Sequence, residues 1–590
     1  MKLLIKNPSV ITAFILLVIV CVLFNPVIFG GKTFGSPDSL APKSTGIILN
    51  KVQEKTGEYP LWQPWIFSGM PTAEAFTNIS NLYFPDYFFR IFFIPGRLIQ
   101  LAHLIFTGLG GFFLLKYIRC SPLSSFLGSS AFMMMPFMIT MVVFGHGSQM
   151  MTAAYIPWIM YLTIKIMQKP IMLNIGFLAI LMGLKLQRAH AQIAYYTWML
   201  AGAYVLFTLI STYKVPEKRN TSLYGLGGFV IAAVLGICIA LLIYLPSLEY
   251  TPFSVRGGGT SGGADYNYAT SWSFSPKELL TFIIPSAFGF GGQTYWGDMP
   301  FTDYPNYMGI IILVLAAIGF VHRRDPFMWF LLGTSILAIF ISFGKNLSII
   351  YDLFYSFFPY FNKFRVPAMI LILVQFNTCV MAALGLNYLL TIHKQVIPRW
   401  FWTCSGVLVF FLLILTLGQS FLQQLVASGF TPPRTQDPRA IQAINALRWD
   451  MWLKDAWTMV LILAAFIGLT WAFINQKITE QGFTIAVTIL ALTDIAIVDG
   501  KIIQPGKQSG RASQLIRSLV IDRYFQQDQI TKILTDDSEK PFRFYPAGSL
   551  FSETRFRAFG LESVGGYHPA KLKVYNDFLQ RTNNASTLPL

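Results

Sequence analysis

One acid and a few cations stand out in a chain that is otherwise apolar. Asp38 lies a few residues beyond the first hydrophobic segment, in Gly35-Ser36-Pro37-Asp38. It leads into Tyr59-Pro60-Leu61-Trp62-Gln63-Pro64-Trp65 and then Ser68-Gly69-Met70-Pro71. A carboxylate held in an aromatic loop beside a membrane can act as general base on a hydroxyl or bind a metal. The plainer reading is a helix cap formed by Ser36-Pro37-Asp38. Glu54, Glu58, Glu74 and Asp86 share the loop, and any of them could be a second acid.

The cations point to an anion. Lys185, Gln187, Arg188, His190 and Gln192 interrupt the apolar stretch 171–210. Ionisable groups at membrane depth are costly unless paired or used. A lipid-carrier phosphate suits them, because arginine offers bidentate hydrogen bonds and lysine or histidine adds charge; snorkelling to headgroups is the alternative. Arg365, in Phe361-Asn362-Lys363-Phe364-Arg365-Val366-Pro367, is the second anion-binding candidate, with a nearby carboxylate as its structural alternative. His146, in Gly145-His146-Gly147, is either a third member of the site or a turn histidine.

Aromatic residues supply surfaces on which a sugar could stack. Trp272 lies in Ser271-Trp272-Ser273 and Trp296 in Tyr295-Trp296-Gly297-Asp298, within a loop also holding Gly257-Gly258-Gly259 and Gly262-Gly263. The glycines form no phosphate-binding P-loop, because the Lys-Ser/Thr ending is absent. They read as a flap, and the tryptophans as sugar platforms or part of an interfacial belt. Trp62, Trp65, Trp272, Trp296, Tyr567 and His568 form the candidate sugar- and acceptor-binding set, although Gly565-Gly566-Tyr567-His568-Pro569 by itself is a turn motif. Asn78-Ile79-Ser80 fits a glycosylation sequon.

The elements that must position these residues are membrane spans. Of 590 residues, 54% are hydrophobic and 12% charged, and the mean hydropathy is +0.54, which excludes a soluble multidomain protein. The net charge of +17 is scattered rather than gathered on one domain, so nucleic acid is not a partner. The five cysteines lie in or beside apolar segments without metal or disulfide spacing. The first segment lacks a cleavage signature and reads as a retained span.

Apolar runs of bilayer length recur at 9–29, 98–117, 124–144, 150–168, 171–187, 190–210, 222–246, 306–321, 327–343, 366–391, 401–425, 452–475 and 481–499. With the N-terminus inside, cytoplasmic loops carry Lys116 and Arg119, Lys165 and Lys169, Lys214, Lys218 and Arg219, Arg323 and Arg324, Lys394 and Arg399, and Lys477. The long aromatic segments 30–97, 247–305, 344–365, 426–450 and 500–590 then lie outside. The expected organisation is a transmembrane domain over 1–499 and an extracytoplasmic C-terminal region over 500–590. That region reads as the opening of a small α+β domain that stops early, as a truncated form would.

Asp38 with the 62–71 segment, Gly145-His146, His190-Ala191-Gln192-Ile193-Ala194-Tyr195-Tyr196, Ser271-Trp272-Ser273, Tyr295-Trp296-Gly297, Phe361 to Pro367 and Gly566-Tyr567-His568-Pro569 together resemble the bacterial YfhO family over nearly the whole chain. That family is similar to GT-C membrane glycosyltransferases. The resemblance implies a helical polytopic fold of about thirteen spans in the bacterial inner membrane. It also implies a polyprenyl-phosphate sugar as donor and a cell-envelope glycan or teichoic-acid-like acceptor, with membrane lipids as partners and no nucleotide. Asp38 would be the catalytic base, and Arg188, His190, Lys185, Arg365 and His146 would meet the donor phosphate. Some members of the class use a divalent metal, Mg or Mn. Asp38 with Asp86 would be its ligands here, although the acid pair of those members is not evident. A flippase for a lipid-linked glycan is the rival; it predicts internal repeats and ionisable groups at mid-bilayer depth, whereas the polar groups here gather toward one face. A scaffold would leave Asp38 and Arg188 without a purpose.

Overall fold

The computed structural model describes residues 7–72, 83–257, 263–391, 397–506, 512–536 and 541–582. Glu74 and the sequon at 78–80 fall outside these residues. Every one of the apolar runs is helical. Among the described residues nine helices are long and apolar enough to cross a membrane by length and composition, and four shorter apolar helices, Pro8–Leu23, Met172–Gln187, Ile310–His322 and Pro326–Ser342, accompany them. The chain is a multi-pass, mostly helical membrane protein.

Burial sorts the helices into centre and rim. Within their most apolar stretches, Pro122–Val143 and Pro367–Leu389 are each 94% buried by the rest of the protein, whereas Arg399–Thr416 is 11% buried. A helix apolar all round with one side uncovered faces lipid, where only its own backbone bonds can satisfy the chain. The first segment is part of the bundle: Leu16 is buried against Gly108 of the Gly96–Tyr117 helix.

A steric and a polar device fix the central helix Leu371–Leu389 to its neighbours. Gly385 of Leu371–Leu389 faces Ile310–His322 so closely that a methyl group there would meet the Leu315 carbonyl oxygen at 1.9 Å, and Gly319 makes the reciprocal approach to the Met381 carbonyl at 2.8 Å. Small residues allow such backbone contact where no hydrophobic driving force separates helix from lipid. About two turns earlier on the same helix, Asn377 donates to the Leu331 carbonyl, Thr334 Oγ1 and Ser335 Oγ of Pro326–Ser342.

The long Pro438–Ile474 helix has 37 residues, about 55 Å at 1.5 Å per residue, against an apolar bilayer core of about 30 Å. Near its N-terminal end the buried Arg448 donates to the carbonyls of Thr294, Tyr295 and Thr431 and to Asn445 Oδ1, which pins the 288–296 segment to the helix.

The C-terminal region departs from the expected α+β unit. Its strand, Leu515–Arg517, pairs antiparallel with Lys32–Phe34, with Phe34 opposite Leu515 and Lys32 opposite Arg517. The rest is three short helices, Ser518–Tyr524, Gln529–Asp536 and Lys573–Arg581, with 3-10 turns at Gly548–Ser552 and Arg555–Phe559. A lone strand cannot make a sheet, so the described region completes the first loop instead of standing apart. Arg557 donates to Thr45 Oγ1 of the Pro37–Thr56 helix at 2.6 Å.

Gly385→Leu is expected to destabilise the fold by about 1–3 kcal/mol of overpacking, read as a lower midpoint of thermal unfolding in detergent. Gly333→Leu, at a position with open space around it, is expected to leave it unchanged; differential scanning fluorimetry of both variants checks this.

Candidate active site

Asp38 is presented by the start of the Pro37–Thr56 helix. Ser36 is the cap: its Oγ accepts from Ser39 N at 3.2 Å and contacts Ser39 Oγ at 2.8 Å, and Pro37 occupies the first turn. Capping is therefore done by Ser36, which leaves the Asp38 carboxylate for other work. Its Oδ2 lies 3.5 Å from His146 Nε2, with the two side chains 31% and 33% exposed. A pair this exposed stabilises the fold little, so its interest is positional.

Gly145 makes that approach feasible. Its φ is +87°, and a Cβ would stand 2.4 Å from Ser39 N and 2.6 Å from the Asp38 carbonyl carbon. Only glycine accepts both the left-handed backbone and the contact.

Arg365 sits on a strained turn. Tyr360 and Val366 have φ of +63° and +59°, unfavourable for a β-branched valine. Gln192 holds the turn, its Nε2 donating to the Arg365 carbonyl at 2.6 Å and the Val366 carbonyl at 3.4 Å. The Arg365 guanidinium donates to Tyr268 Oη at 3.1 Å and lies 5.2 Å from the Tyr268 ring and 5.6 Å from the Trp272 ring. Among the described residues no carboxylate lies within ion-pair distance of it. Arg256 stands 5.8 Å from the same Tyr268 ring and donates from Nε to the Pro569 carbonyl at 3.2 Å.

The C-terminal segment closes the site from above. Gly565 and Ser563 accept backbone bonds from Phe67 and Ser68, Ala570 accepts from Tyr250 Oη, and Lys571 accepts from Val255 N. Tyr567 lines the same cavity as Asp38 and Arg365 and lies within electrostatic reach of both. Burial, then Asp38, pushes its phenol up to about 12. His568 accepts from Ala570 N at Nδ1, and burial, helped by Arg557 and Arg256, lowers it to about 3. It is a neutral turn residue. The Lys571 ammonium stands 5.5 Å from the Phe67 ring and is lowered by burial.

These walls enclose a cavity of about 1330 Å³ lined by Asp38, His146, Trp272, Arg365, Tyr567 and His568, with Lys571 at the same wall. Its membrane side adds Phe137, Met141 and Met369. The volume exceeds that of ordinary small-ligand pockets, about 300–1000 Å³.

Other candidates lie elsewhere. Arg188 is 3.8 Å from Asp86 and stacks over Tyr83 at 4.3 Å, so it belongs to a buried pair and does not line the cavity. Asp86 is thereby separated from Asp38 as a metal partner. Among the described residues no group of three or more histidine, cysteine or acidic side chains could hold a metal ion, and a hard divalent cation takes several oxygen ligands; the donor set does not fit one. Lys185 is fully buried and donates to Thr197 Oγ1. His190 caps the Ala191–Thr212 helix, Nδ1 accepting from Ile193 N. Trp296 packs in the core against Phe288 and Phe430. Trp62 lies on the ribbon of Trp62–Gln63 with Met70–Pro71, covering Gly69, and Trp65 faces Gly560; neither lines the cavity. Glu54 and Glu58 are exposed. Arg256, Tyr268 and Lys571 join the site unforeseen; an unpaired cation beside a Tyr-Asn-Tyr run was the one available signal.

No family model matches the chain, and no curated protein matches it. Among solved structures, the crystal structure of ArnT from Cupriavidus metallidurans bound to undecaprenyl phosphate is similar with a TM-score of 0.46 at 11% identity, over 94% of this chain and 85% of that one. A likeness of that degree fixes no function.

The loop that carries Tyr268 and Trp272 is braced by Glu278, which is buried and accepts from Tyr295 Oη at 2.6 Å and Ser275 N at 3.1 Å. Burial pushes its carboxyl up to about 7 despite those bonds. The folded protein thus holds this proton more tightly than the unfolded chain, so the contribution of Glu278 is most favourable below its ordinary value near 4.5 and declines until the pH passes about 7. The unfolding midpoint is expected to fall across that window, and Glu278→Gln to flatten the fall, as thermal scans at stepped pH would register.

Proposed function

We propose that this chain is an integral-membrane glycosyltransferase that moves a sugar from a polyprenyl-phosphate carrier to a hydroxyl of a cell-envelope glycan or teichoic-acid-like polymer. The observation that carries the reading is that a carboxylate, Asp38, and a cation without a carboxylate partner, Arg365, line one cavity at the end of a bundle of membrane helices. The sequence resemblance to the YfhO family and GT-C enzymes supports the same class. The working face is taken as extracytoplasmic, with the N-terminus in the cytoplasm and the membrane as the bacterial inner one, on the distribution of Lys and Arg.

Asp38 accepts the proton of the acceptor hydroxyl while that oxygen attacks the anomeric carbon. The bond from the anomeric carbon to the phosphate oxygen breaks, and its electron pair leaves with the lipid phosphate. Arg365, with Arg256 behind the shared Tyr268 ring, stabilises the charge that develops there. His146 holds Asp38 in place, Tyr567 lines the cavity near it, and Trp272 offers a face for the sugar. Nothing in this scheme needs a nucleotide, because the activated bond arrives on the lipid.

Membranes carrying the protein are expected to transfer label from one member of a panel of radiolabelled polyprenyl-phosphate sugars to envelope polymer. Asp38→Asn at matched expression should reduce the rate by about 10²–10⁴, the usual worth of a general base, and Arg365→Gln should lower it with the donor still carried in the membrane. Equal transfer by wild type and Asp38→Asn would remove the base from the scheme. Movement of the lipid-linked sugar across vesicles without any transfer would replace the enzyme by a flippase.

A further inference from the structure

Two short helices present apolar faces that nothing in the described protein covers. Phe84–Ile91 exposes Phe84, Tyr87, Phe88 and Ile91, the i, i+3, i+4, i+7 spacing of a single helix side. Ile349–Phe357 exposes Ile349, Leu353 and Phe357, again one side. Exposure at these seven positions runs from 51% to 79%, and Phe93, just past the first helix, reaches 92%.

The opposite sides are bound to the protein by polar contacts. Asp86 pairs with Arg188, and Phe84 N donates to Gln187 Oε1. In the second helix Asp352 accepts from Tyr266 Oη, and Tyr355 Oη donates to the Ala264 carbonyl. Each helix therefore has a fixed orientation, with its apolar side turned outward.

Chain length fixes where that side must be. Ile91 stands five residues before Gly96, where a span-length helix begins, and Ile349 seven residues after Ser342, where an apolar helix ends. At about 3.5 Å per extended residue, the near end of each helix stays within roughly 25 Å of a membrane exit. We propose that the two helices lie in the headgroup–acyl boundary of the bilayer on the loop-rich side, with their apolar faces inserted among the lipids. Aromatic side chains are favoured at that level, and Arg90, 5.9 Å from the Tyr87 ring in the last turn of the first helix, places a cation where lipid phosphates lie. A second copy of the chain is a poorer occupant. Helices of eight and nine residues are about 12–14 Å long, too short to supply the roughly 800 Å² per partner of a stable interface.

The test uses the full chain in phospholipid vesicles, with Cys21, Cys238 and Cys404 replaced by serine and a fluorophore attached through Phe88→Cys, Leu353→Cys or, as a control on an exposed C-terminal residue, Ile530→Cys. Lipids carrying a nitroxide at the headgroup, at a shallow or at a deep chain position act as quenchers. Quenching at 88 and 353 is expected to be several-fold stronger than at 530 and greatest with the headgroup or shallow nitroxide. Quenching no stronger than at 530, or strongest with the deep nitroxide, overturns the placement, as does fluorophore self-quenching that shows two copies in contact. Photo-crosslinking of the unsubstituted protein by a diazirine phospholipid gives a second reading: adducts are expected on peptides containing 84–93 and 349–360, and adducts confined to the spans would count against it.

Discussion

The pairing of Lys32–Phe34 with Leu515–Arg517 is the contact on which the rest of the site depends. It joins the residues that follow the first membrane helix to those that follow the last, across nearly the whole chain. Such a closure has an entropic cost that grows only slowly with loop length, and bonds from Phe67 and Ser68 to Gly565 and Ser563 extend it. Without the closure Tyr567 would have no reason to be near Asp38. The cavity is a space between the first loop and the chain's far end.

Opposite that roof stands a floor built from strain. Val366 in a left-handed conformation persists only because its surroundings over-determine it: Gln192 binds its carbonyl and that of Arg365, and Pro367 opens one of the two most buried spans of the bundle. Arg365 is thus aimed by the membrane domain, whereas its aromatic neighbours Tyr268 and Trp272 come from a loop braced by Glu278 and Arg448.

How much of this could be read from residues alone follows from what each signal measures. Hydropathy reports a helix wherever about 20 apolar residues run together, and the runs were accordingly visible. Asp38, His146 and Arg365 were legible because charge and turn glycines are rare beside such runs. Arg188 and Asp86 were each visible, but nothing in spacing shows that residues about a hundred positions apart neutralise one another. Trp296 reads as a platform or a belt residue because composition does not tell an exposed ring from the core ring it is. The 500–590 region reads as a domain of its own because the partner of its Leu515–Arg517 strand is not written in the local sequence and lies at the other end of the chain.

The glycine contact between Leu371–Leu389 and Ile310–His322 has a mechanical consequence. Two helices whose backbones touch at Gly385 and Gly319 cannot slide past each other without collision, so the pair behaves as a stiff beam. Pro367 continues directly into one end of that beam, and Arg365 is carried two residues from its tip. The beam therefore keeps the charged tip stationary at the floor of the cavity, whereas the opposite wall is held by contacts between segments nearly five hundred residues apart in sequence.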